Sequence, residues 1–295
     1  MAEPVFRRLT LIGAGLIGGS VARAARARGD IAAEVVVSAR SEATLARVAE
    51  LGFADRVEAD VTRAVTGADC VMLCAPVGSY AGIAARMAPH LAEGAIVTDV
   101  GSTKVSVIRD IAHLLPKHVQ LVPGHPIAGT EYSGPDSGFA ELFQGRWCIL
   151  TPPPATDPLA TAHVESLWRR CGSMVRVMDA AHHDRVLAMV SHLPHLLAFT
   201  ICGTADDLEG ESRQQVLEFA ASGFRDFTRI AASDPVMWRD VFINNKDALL
   251  EMLARFTEDA QAMARAVRWG DAAYIEDRIE RSRAIRKTLI EIKQA

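Results

Sequence analysis

Two short stretches of the chain combine residue types that can move a proton. The first is Asp99-Val-Gly-Ser102-Thr-Lys104 and the second is Gly124-His125-Pro-Ile-Ala-Gly-Thr130. Each follows a short apolar run that is typical of a buried strand. A histidine at such a place can take a proton at neutral pH. We therefore predict that His125 is a general base, rather than a histidine with a purely structural hydrogen bond.

A glycine-rich loop near the start of the chain supplies the predicted nucleotide site. The pattern GxGxxG at residues 13–18 directly follows an apolar run and opens a helical stretch at Leu16. In that context the glycines allow a tight turn, a close approach of pyrophosphate and close packing of helix on strand. Backbone amides at the helix start then bind the phosphates. We assign to cofactor binding Gly13, Gly15, Leu16, Ile17 and Gly18, together with Ser102 and with Ala75 and Pro76 after the third predicted strand.

The end of the second predicted strand bears on the choice between NAD and NADP. An NAD enzyme usually has Asp or Glu there to bind the ribose, whereas this chain has Ser38-Ala-Arg40-Ser41. Hydroxyls and a guanidinium suit a 2′-phosphate, so NADP is favoured over NAD. Two alternatives stay open: Ser41 only caps the next helix, or Arg40 stacks on adenine without selecting for phosphate.

The elements that position these residues alternate between strand and helix. Mostly apolar runs at 8–12, 34–37, 70–74, 95–98, 119–122 and 147–150 alternate with helical stretches, and residues 174–178 are compatible with a further strand. This order predicts a Rossmann-type parallel sheet covered on both faces. From about residue 179 onward the pattern is helical only, and the last helix carries an apolar stripe. We predict an α/β dinucleotide-binding domain over 1–179 and an all-α substrate and dimerisation domain over 180–295.

One segment has the composition of a membrane helix. Residues 186–205 contain no Asp, Glu, Lys or Arg, but they include His192, Pro194 and His195 near the centre. Because polar groups there are costly in lipid, we predict a buried helix and no membrane partner. Four histidines (His182, His183, His192 and His195) lack the cysteine or acidic partners of a tetrahedral metal site, so we predict no metal.

Composition excludes several classes of protein. The 295 residues are 49% hydrophobic and 23% charged with a net charge of −4, unlike a disordered or collagen-like chain. Without a cluster of basic residues, nucleic-acid binding has no electrostatic support. Five scattered cysteines and an N-terminus that lacks the apolar core of a signal peptide favour the cytoplasm.

Several motifs together resemble one enzyme family. Residues 13–20, 99–104 and His125-Pro-Ile-Ala-Gly-Thr-Glu131, followed by His183-Asp184, Ser191-His-Leu-Pro-His195, 223–231 and 234–240, are similar to the prephenate/arogenate dehydrogenases of tyrosine biosynthesis. The resemblance runs from about residue 8 to 293. It implies oxidative decarboxylation of prephenate to 4-hydroxyphenylpyruvate, or of arogenate to tyrosine, with hydride transfer to NAD or NADP. It also implies a homodimer formed through the helical domain.

The resemblance carries roles to individual positions. His125 matches the histidine that accepts the proton of the ring 4-hydroxyl, and Ser102 matches a serine beside that hydroxyl. Arg229 matches the arginine that binds the ring carboxylate. The other residues assigned to the substrate pocket are His195, Trp238, His192 and Arg225; Lys104 lies in a matching motif. Arg225 and Arg229, flanked by apolar residues, are expected to form a buried anion site rather than a solvated helix edge.

Two other functions fit parts of the pattern. A β-hydroxyacid-type dehydrogenase shares the nucleotide loop, but its base is typically a lysine on the helical domain. A non-enzymatic NAD(P)-sensing protein needs the loop but not Ser102, His125, His195 and Arg229 together. No residue distinguishes prephenate from arogenate, which differ only in a keto or an amino group on the side chain.

Overall fold

The computed structural model describes residues 3–130, 132–208 and 210–292, so Glu131 of the histidine motif lies outside the described residues. The chain separates into two compact units, one ending at Lys246 and the other beginning at Asp247. This division by compactness differs from the functional boundary at residues 179 and 180, which stays a prediction.

A parallel sheet forms the centre of the first unit, as predicted. Its six strands lie in the order β3-β2-β1-β4-β5-β6. They are β1 (Phe6–Ile12), β2 (Ala32–Ser38), β3 (Arg56–Glu58), β4 (Cys70–Leu73), β5 (Ile96–Asp99) and β6 (Gln120–Val122). The helices between them are α1 (Leu16–Arg28), α2 (Glu42–Leu51), α3 (Val61–Val65), α4 (Tyr80–Met87) and α5 (Val105–Ile111).

The strand register brings the functional strand ends together. Ile12 at the end of β1 pairs with Ser38 on one side and with Leu73 on the other, and Leu73 pairs with Asp99. The central strands are buried on both faces; Leu9 and Leu11 are completely buried, for example. That burial explains why the apolar runs are continuous rather than alternating.

A second, three-stranded sheet departs from the prediction of one continuous sheet. It contains β7 (Gly124–Pro126), β8 (Trp147–Leu150) and β9 (Met174–Val177), with α6 (Pro158–Arg170) between the last two. β7 pairs antiparallel with β8, and His125 stands opposite Ile149. The sequence predicts that His125 lies in a loop after the strand of residues 119–122, whereas the structure places it in a strand of its own. Pro123, which has no backbone N–H to donate, separates β6 from β7.

Helices make up the rest of the described chain, as predicted. They are α7 (Ala180–Leu187), a π-helical turn (Ala188–His192), α8 (Leu193–Asp206), α9 (Gly210–Glu218), α10 (Ser222–Thr228), α11 (Pro235–Asn244), α12 (Lys246–Trp269) and α13 (Ala272–Glu291). The apolar pattern of residues 238–262 predicts one helix, whereas the structure has two, α11 and α12, which meet at Asn245. In the second unit, Asp259 and Arg278 form an ion pair between α12 and α13.

The apolar helical stretch is less buried than the sequence predicts. Among the described residues, Ala180–Asp206 alone is long and apolar enough to cross a membrane by length and composition, and 28% of its most apolar window is buried. Met189 and Val190 are exposed. The prediction of a buried helix is therefore wrong for the chain by itself.

Candidate active site

The glycine loop has the geometry that the sequence pattern predicts. Gly13 has φ 115°, and a Cβ there would lie 2.7 Å from the backbone carbonyl of Cys74. A Cβ on Gly18 would lie 2.3 Å from the carbonyl oxygen of Gly13. Side chains at either position would therefore force the loop away from β4 or from α1.

The start of α1 is suited to a phosphate group. Gly15 is the N-cap, its side-chain position is open for 4 Å, and no side chain caps the amides of the first turn. The first turn carries no acidic residue, so the helix dipole and the exposed N–H groups favour an anion there. Leu16 and Ile17 supply the first amides of the helix and are half-buried. These residues fit the pyrophosphate of a dinucleotide.

The end of β2 borders this loop. The amide of Gly13 donates to the carbonyl oxygen of Ser38 at 2.8 Å, and Ser38 is buried. Ser41 caps α2, because its Oγ accepts from the amide of Thr44 at 3.3 Å. Arg40 is exposed and makes no hydrogen bond or ion pair with the described residues. Ala75 and Pro76 follow β4, next to Gly13.

A buried ion pair ties β5 to β7. Lys104 Nζ lies 2.5 Å from Asp99 Oδ2 and 2.6 Å from the carbonyl oxygen of Gly124, and both charged side chains are completely buried. The other Asp99 oxygen accepts from the amide of Gly124 at 3.1 Å. Burial raises the pKa of Asp99 and lowers that of Lys104, while the attraction between them opposes both shifts. Lys104 therefore holds the strand that carries His125.

His125 is the first of three buried side chains joined by hydrogen bonds. Its Nδ1 lies 2.9 Å from Nε2 of His183, and Nδ1 of His183 lies 2.8 Å from Oδ1 of Asp184. Both Asp184 oxygens also accept backbone amides, from Lys104 at 2.8 Å and from Val105 at 2.9 Å. The loop that contains Ser102 is thereby fixed to α7.

Burial keeps this pair of histidines neutral. It holds the pKa of His125 well below the ordinary histidine value, and the nearby His183 and Lys104 lower that pKa further. Burial also lowers the pKa of His183, although its hydrogen bond to Asp184 opposes the shift. A neutral imidazole is the form that accepts a proton, so His125 has the protonation state of a general base at pH 7.

Three residues predicted for the substrate pocket cluster together. The ring of His195 stacks on Trp238 with centroids 3.6 Å apart. The ring of His192 lies nearly perpendicular to the same indole, with centroids 6.1 Å apart. His195 Nδ1 donates to the carbonyl oxygen of Ser191 at 2.8 Å. Burial lowers the pKa of His192 to about 4. Within the described part of the chain, His192 Nε2 and Trp238 Nε1 are buried without a hydrogen-bond partner.

Asn245 connects this cluster to the His125 chain. Its Nδ2 donates to Nδ1 of His192 at 2.9 Å and to the carbonyl oxygen of Asp184 at 2.8 Å. The sequence does not identify Asn245 as a site residue, and it indicates His183 and Asp184 only as a motif shared with the family. In the sequence, only the adjacent pair His183-Asp184 could have indicated this connection. Asn245 lies 61 residues from Asp184, whose carbonyl oxygen it contacts.

The remaining predicted residues are less closely joined. Ser102 is half-buried on the loop after β5 and makes no hydrogen bond with the described residues. Arg229 lies close enough to His195 for its charge to lower the pKa of that histidine, after the larger effect of burial. Arg225 and Arg229 are both exposed, so the predicted burial of the anion site is wrong for the single chain. Their assignment to the substrate stays a prediction.

The histidines do not form a metal site in the part of the chain that can be described. Within residues 3–130, 132–208 and 210–292, no group of three or more His, Cys, Asp or Glu side chains is placed to hold a metal ion. His183 and His192 instead bond to Asp184 and Asn245.

Comparison with known proteins decides the family. Residues 21–177 match the nucleotide-binding domain of prephenate dehydrogenase, and residues 179–280 match its dimerization domain. The chain belongs to the prephenate dehydrogenase family. It is therefore an NAD(P)-dependent oxidoreductase, with a nucleotide-binding domain followed by a helical one.

Individual relatives agree over nearly the whole chain. The cyclohexadienyl dehydrogenase of Zymomonas mobilis is 42% identical over 287 residues, which is 97% of each chain. The structure of prephenate dehydrogenase from Aquifex aeolicus with hydroxyphenyl propionate and NAD+ superposes with a TM-score of 0.87 at 31% identity, covering 97% of this chain and 98% of that one. Synechocystis arogenate dehydrogenase gives a TM-score of 0.80 at 26% identity, covering 95% and 99%.

Proposed function

We propose that the protein oxidatively decarboxylates prephenate to 4-hydroxyphenylpyruvate, or arogenate to tyrosine, in tyrosine biosynthesis. The neutral, buried His125, on the strand that Lys104 holds to the carboxyl end of β5, supports this proposal most strongly. Relatives named as cyclohexadienyl, prephenate and arogenate dehydrogenases support the substrate class. The site suits a compound whose hydroxyl proton and adjacent hydride leave together.

In the proposed reaction, His125 accepts a proton and the arginines bind a carboxylate of the substrate. A bound nicotinamide supplies the chemistry of accepting the hydride from C4 of the ring. His125 takes the proton of the 4-hydroxyl, which becomes a ketone. The ring carboxylate then leaves as CO2, its electron pair makes the ring aromatic, and the phenolate oxygen takes back the proton. Before that step Arg229 binds the ring carboxylate, because a guanidinium fork suits a carboxylate. Arg225, His192, His195 and Trp238 complete the proposed pocket, and Ser102 lies beside the hydroxyl.

Formation of reduced nicotinamide tests the substrate. Absorbance at 340 nm should rise when the protein is mixed with prephenate or arogenate and an oxidised cofactor. Four mixtures, each substrate with NAD and with NADP, also rank the substrates. No rise in any of the four contradicts the proposed function. A rise with a β-hydroxyacid instead favours the other dehydrogenase class.

We propose that the protein uses NADP at least as readily as NAD. Ser38 has no carboxylate that would repel a 2′-phosphate. The exposed Arg40 offers hydrogen-bond donors to such a phosphate. A hydrogen bond to a charged group contributes about 1.5–3 kcal/mol. Arg40→Ala should therefore raise KM for NADP by about ten- to a hundred-fold and leave KM for NAD nearly unchanged.

Steady-state KM values for both cofactors check this result. Arg146→Ala, which removes another exposed arginine, serves as the matched control and should change neither value. Equal weakening of both cofactors would place Arg40 on the adenine. A wild-type protein that strongly prefers NAD would contradict the argument from Ser38 as well.

We also propose that the protein is a homodimer in the cytoplasm. The match of residues 179–280 to a dimerization domain supports the dimer. Exposed apolar side chains on the stretch Ala180–Asp206, among them Met189, Val190 and Ile201, give a second copy a surface to cover. The cytoplasmic location rests on the cysteine pattern and stays a prediction.

A further inference from the structure

Behind the candidate base, a row of hydrogen bonds leads away from the sheet edge. His125 contacts His183 at 2.9 Å, and His183 contacts Asp184 at 2.8 Å. Their exposed fractions are 8%, 0% and 3% respectively. Because bulk water does not reach these bonds, the protons on the two rings are set by the protein groups themselves.

The direction of the row is fixed at its Asp184 end. Both oxygens of that carboxylate already accept backbone amides, from Lys104 and from Val105. An ionised carboxylate only accepts hydrogen bonds. The bond between Asp184 and His183 therefore requires a proton on His183 Nδ1.

A neutral imidazole ring carries one proton, so the proton on His183 Nδ1 determines which of the other ring nitrogens are protonated. With its proton on Nδ1, His183 presents a bare Nε2, which accepts from Nδ1–H of His125. His125 in turn keeps a bare Nε2. We infer that His183 and Asp184 are positioning residues that hold His125 in the tautomer whose free Nε2 faces the reacting hydroxyl.

The same hydrogen bonds stabilise His125 after it has accepted the proton of the substrate. When Nε2 of His125 takes a proton, the ring becomes an imidazolium whose Nδ1–H still points at His183. The carboxylate of Asp184 lies one ring further on, and its negative charge favours that cation. With the opposite tautomers, Nε2 of His125 would already carry a proton and could accept none. This inference rests on the proposed function, in which His125 is the base.

Two substitutions at one position separate tautomer control from packing. His183→Met places an apolar side chain of similar length there, and its thioether sulfur is only a weak acceptor. His183→Gln instead places an amide oxygen that can still accept from His125. Partners that fix the tautomer of a metal-ligating histidine are typically worth about 10- to 100-fold, and we expect a factor of the same size for His125. We expect kcat to fall by that factor in His183→Met, to recover largely in His183→Gln, and KM for the cofactor to stay unchanged in both.

The neighbouring exposed His182 provides the matched controls. His182→Met and His182→Gln should both retain the wild-type kcat. If the two variants at position 183 lose kcat equally, the role of His183 is structural and the inference is wrong. It is also wrong if both variants keep the wild-type kcat.

A measurement on the resting enzyme tests the tautomer without any substrate. The 15N resonances of histidine rings distinguish a protonated ring nitrogen from a bare one, and the signal that disappears in His125→Asn identifies His125. We expect Nδ1 protonated and Nε2 bare in the wild type, and a mixture of tautomers in His183→Met. A proton on Nε2 of His125 in the wild type would overturn the inference. Failure of the proposed reaction appears separately, as no absorbance change at 340 nm with any substrate.

Discussion

Replacing His125 with Asn should lower kcat by about 10²–10⁴, which is the usual contribution of a positioned general base. The amide of Asn is close in size to the near half of the imidazole, but it cannot take a proton at neutral pH. Binding of the reduced cofactor, followed by its fluorescence, should stay near the wild-type value, because the proposed phosphate site is the glycine loop of 13–18, which lies between β1 and the first turn of α1. His90→Asn, at an exposed position, is the control for the substitution itself. Equal kcat in His125→Asn and wild type would remove His125 from the mechanism.

The pH dependence of the wild type gives an independent check on the same residue. If His125 is the base, only its unprotonated form is active. Burial holds the pKa of His125 well below the ordinary value, which is about 6.5. A lowered pKa moves the loss of activity to lower pH. The acid limb of kcat/KM should therefore lie below about pH 6.5. A limb at or above that value would contradict a neutral, buried base.

The sequence predicts the fold well where burial alone determines the pattern. Strands β1, β2 and β4 are sandwiched between helices, so they read as continuous apolar runs with recognisable ends. Arg56–Glu58 was missed because a three-residue edge strand rich in charge has no such pattern. The second sheet was missed because β7 follows β6 after one proline, and only the antiparallel pairing with β8, distant in sequence, reveals it.

In the candidate active site, the sequence predicts which side chains lie at the ends of strands, but not the hydrogen bonds that join them to other elements. Register in a parallel sheet places residues such as Ser38 and Asp99 at one edge, and that much follows from the order of strands. The contact of His125 with His183 joins residues 58 apart along the chain. It depends on how α7 packs against the loop after β5, which no local pattern encodes. The exposure of Arg229 likewise depends on packing between helices rather than on its apolar neighbours.

Replacing Lys104 with Met should destabilise the protein by about 3–5 kcal/mol, the typical cost of leaving one partner of a buried ion pair alone. The ammonium and the Asp99 carboxylate are both completely buried at 2.5 Å. Met fills most of the space of the lysine but supplies no countercharge. The carbonyl oxygen of Gly124, 2.6 Å from Nζ, also loses its donor. Asp99 would then be buried against two backbone amides alone, from Gly101 and Gly124.

Chemical denaturation of the two variants Lys104→Met and Lys117→Met measures this effect. Lys117 is exposed, so the same substitution there should change the free energy of unfolding by less than about 0.5 kcal/mol. The double variant Asp99→Asn/Lys104→Met should recover part of the loss, because no uncompensated charge remains in the interior. Because Lys104 ties the strand of His125 to β5, the single variant should also lose activity in the fraction that stays folded. A Lys104→Met protein as stable as Lys117→Met would mean that water or another cation reaches Asp99, and the ion pair would then not be what joins the two sheets.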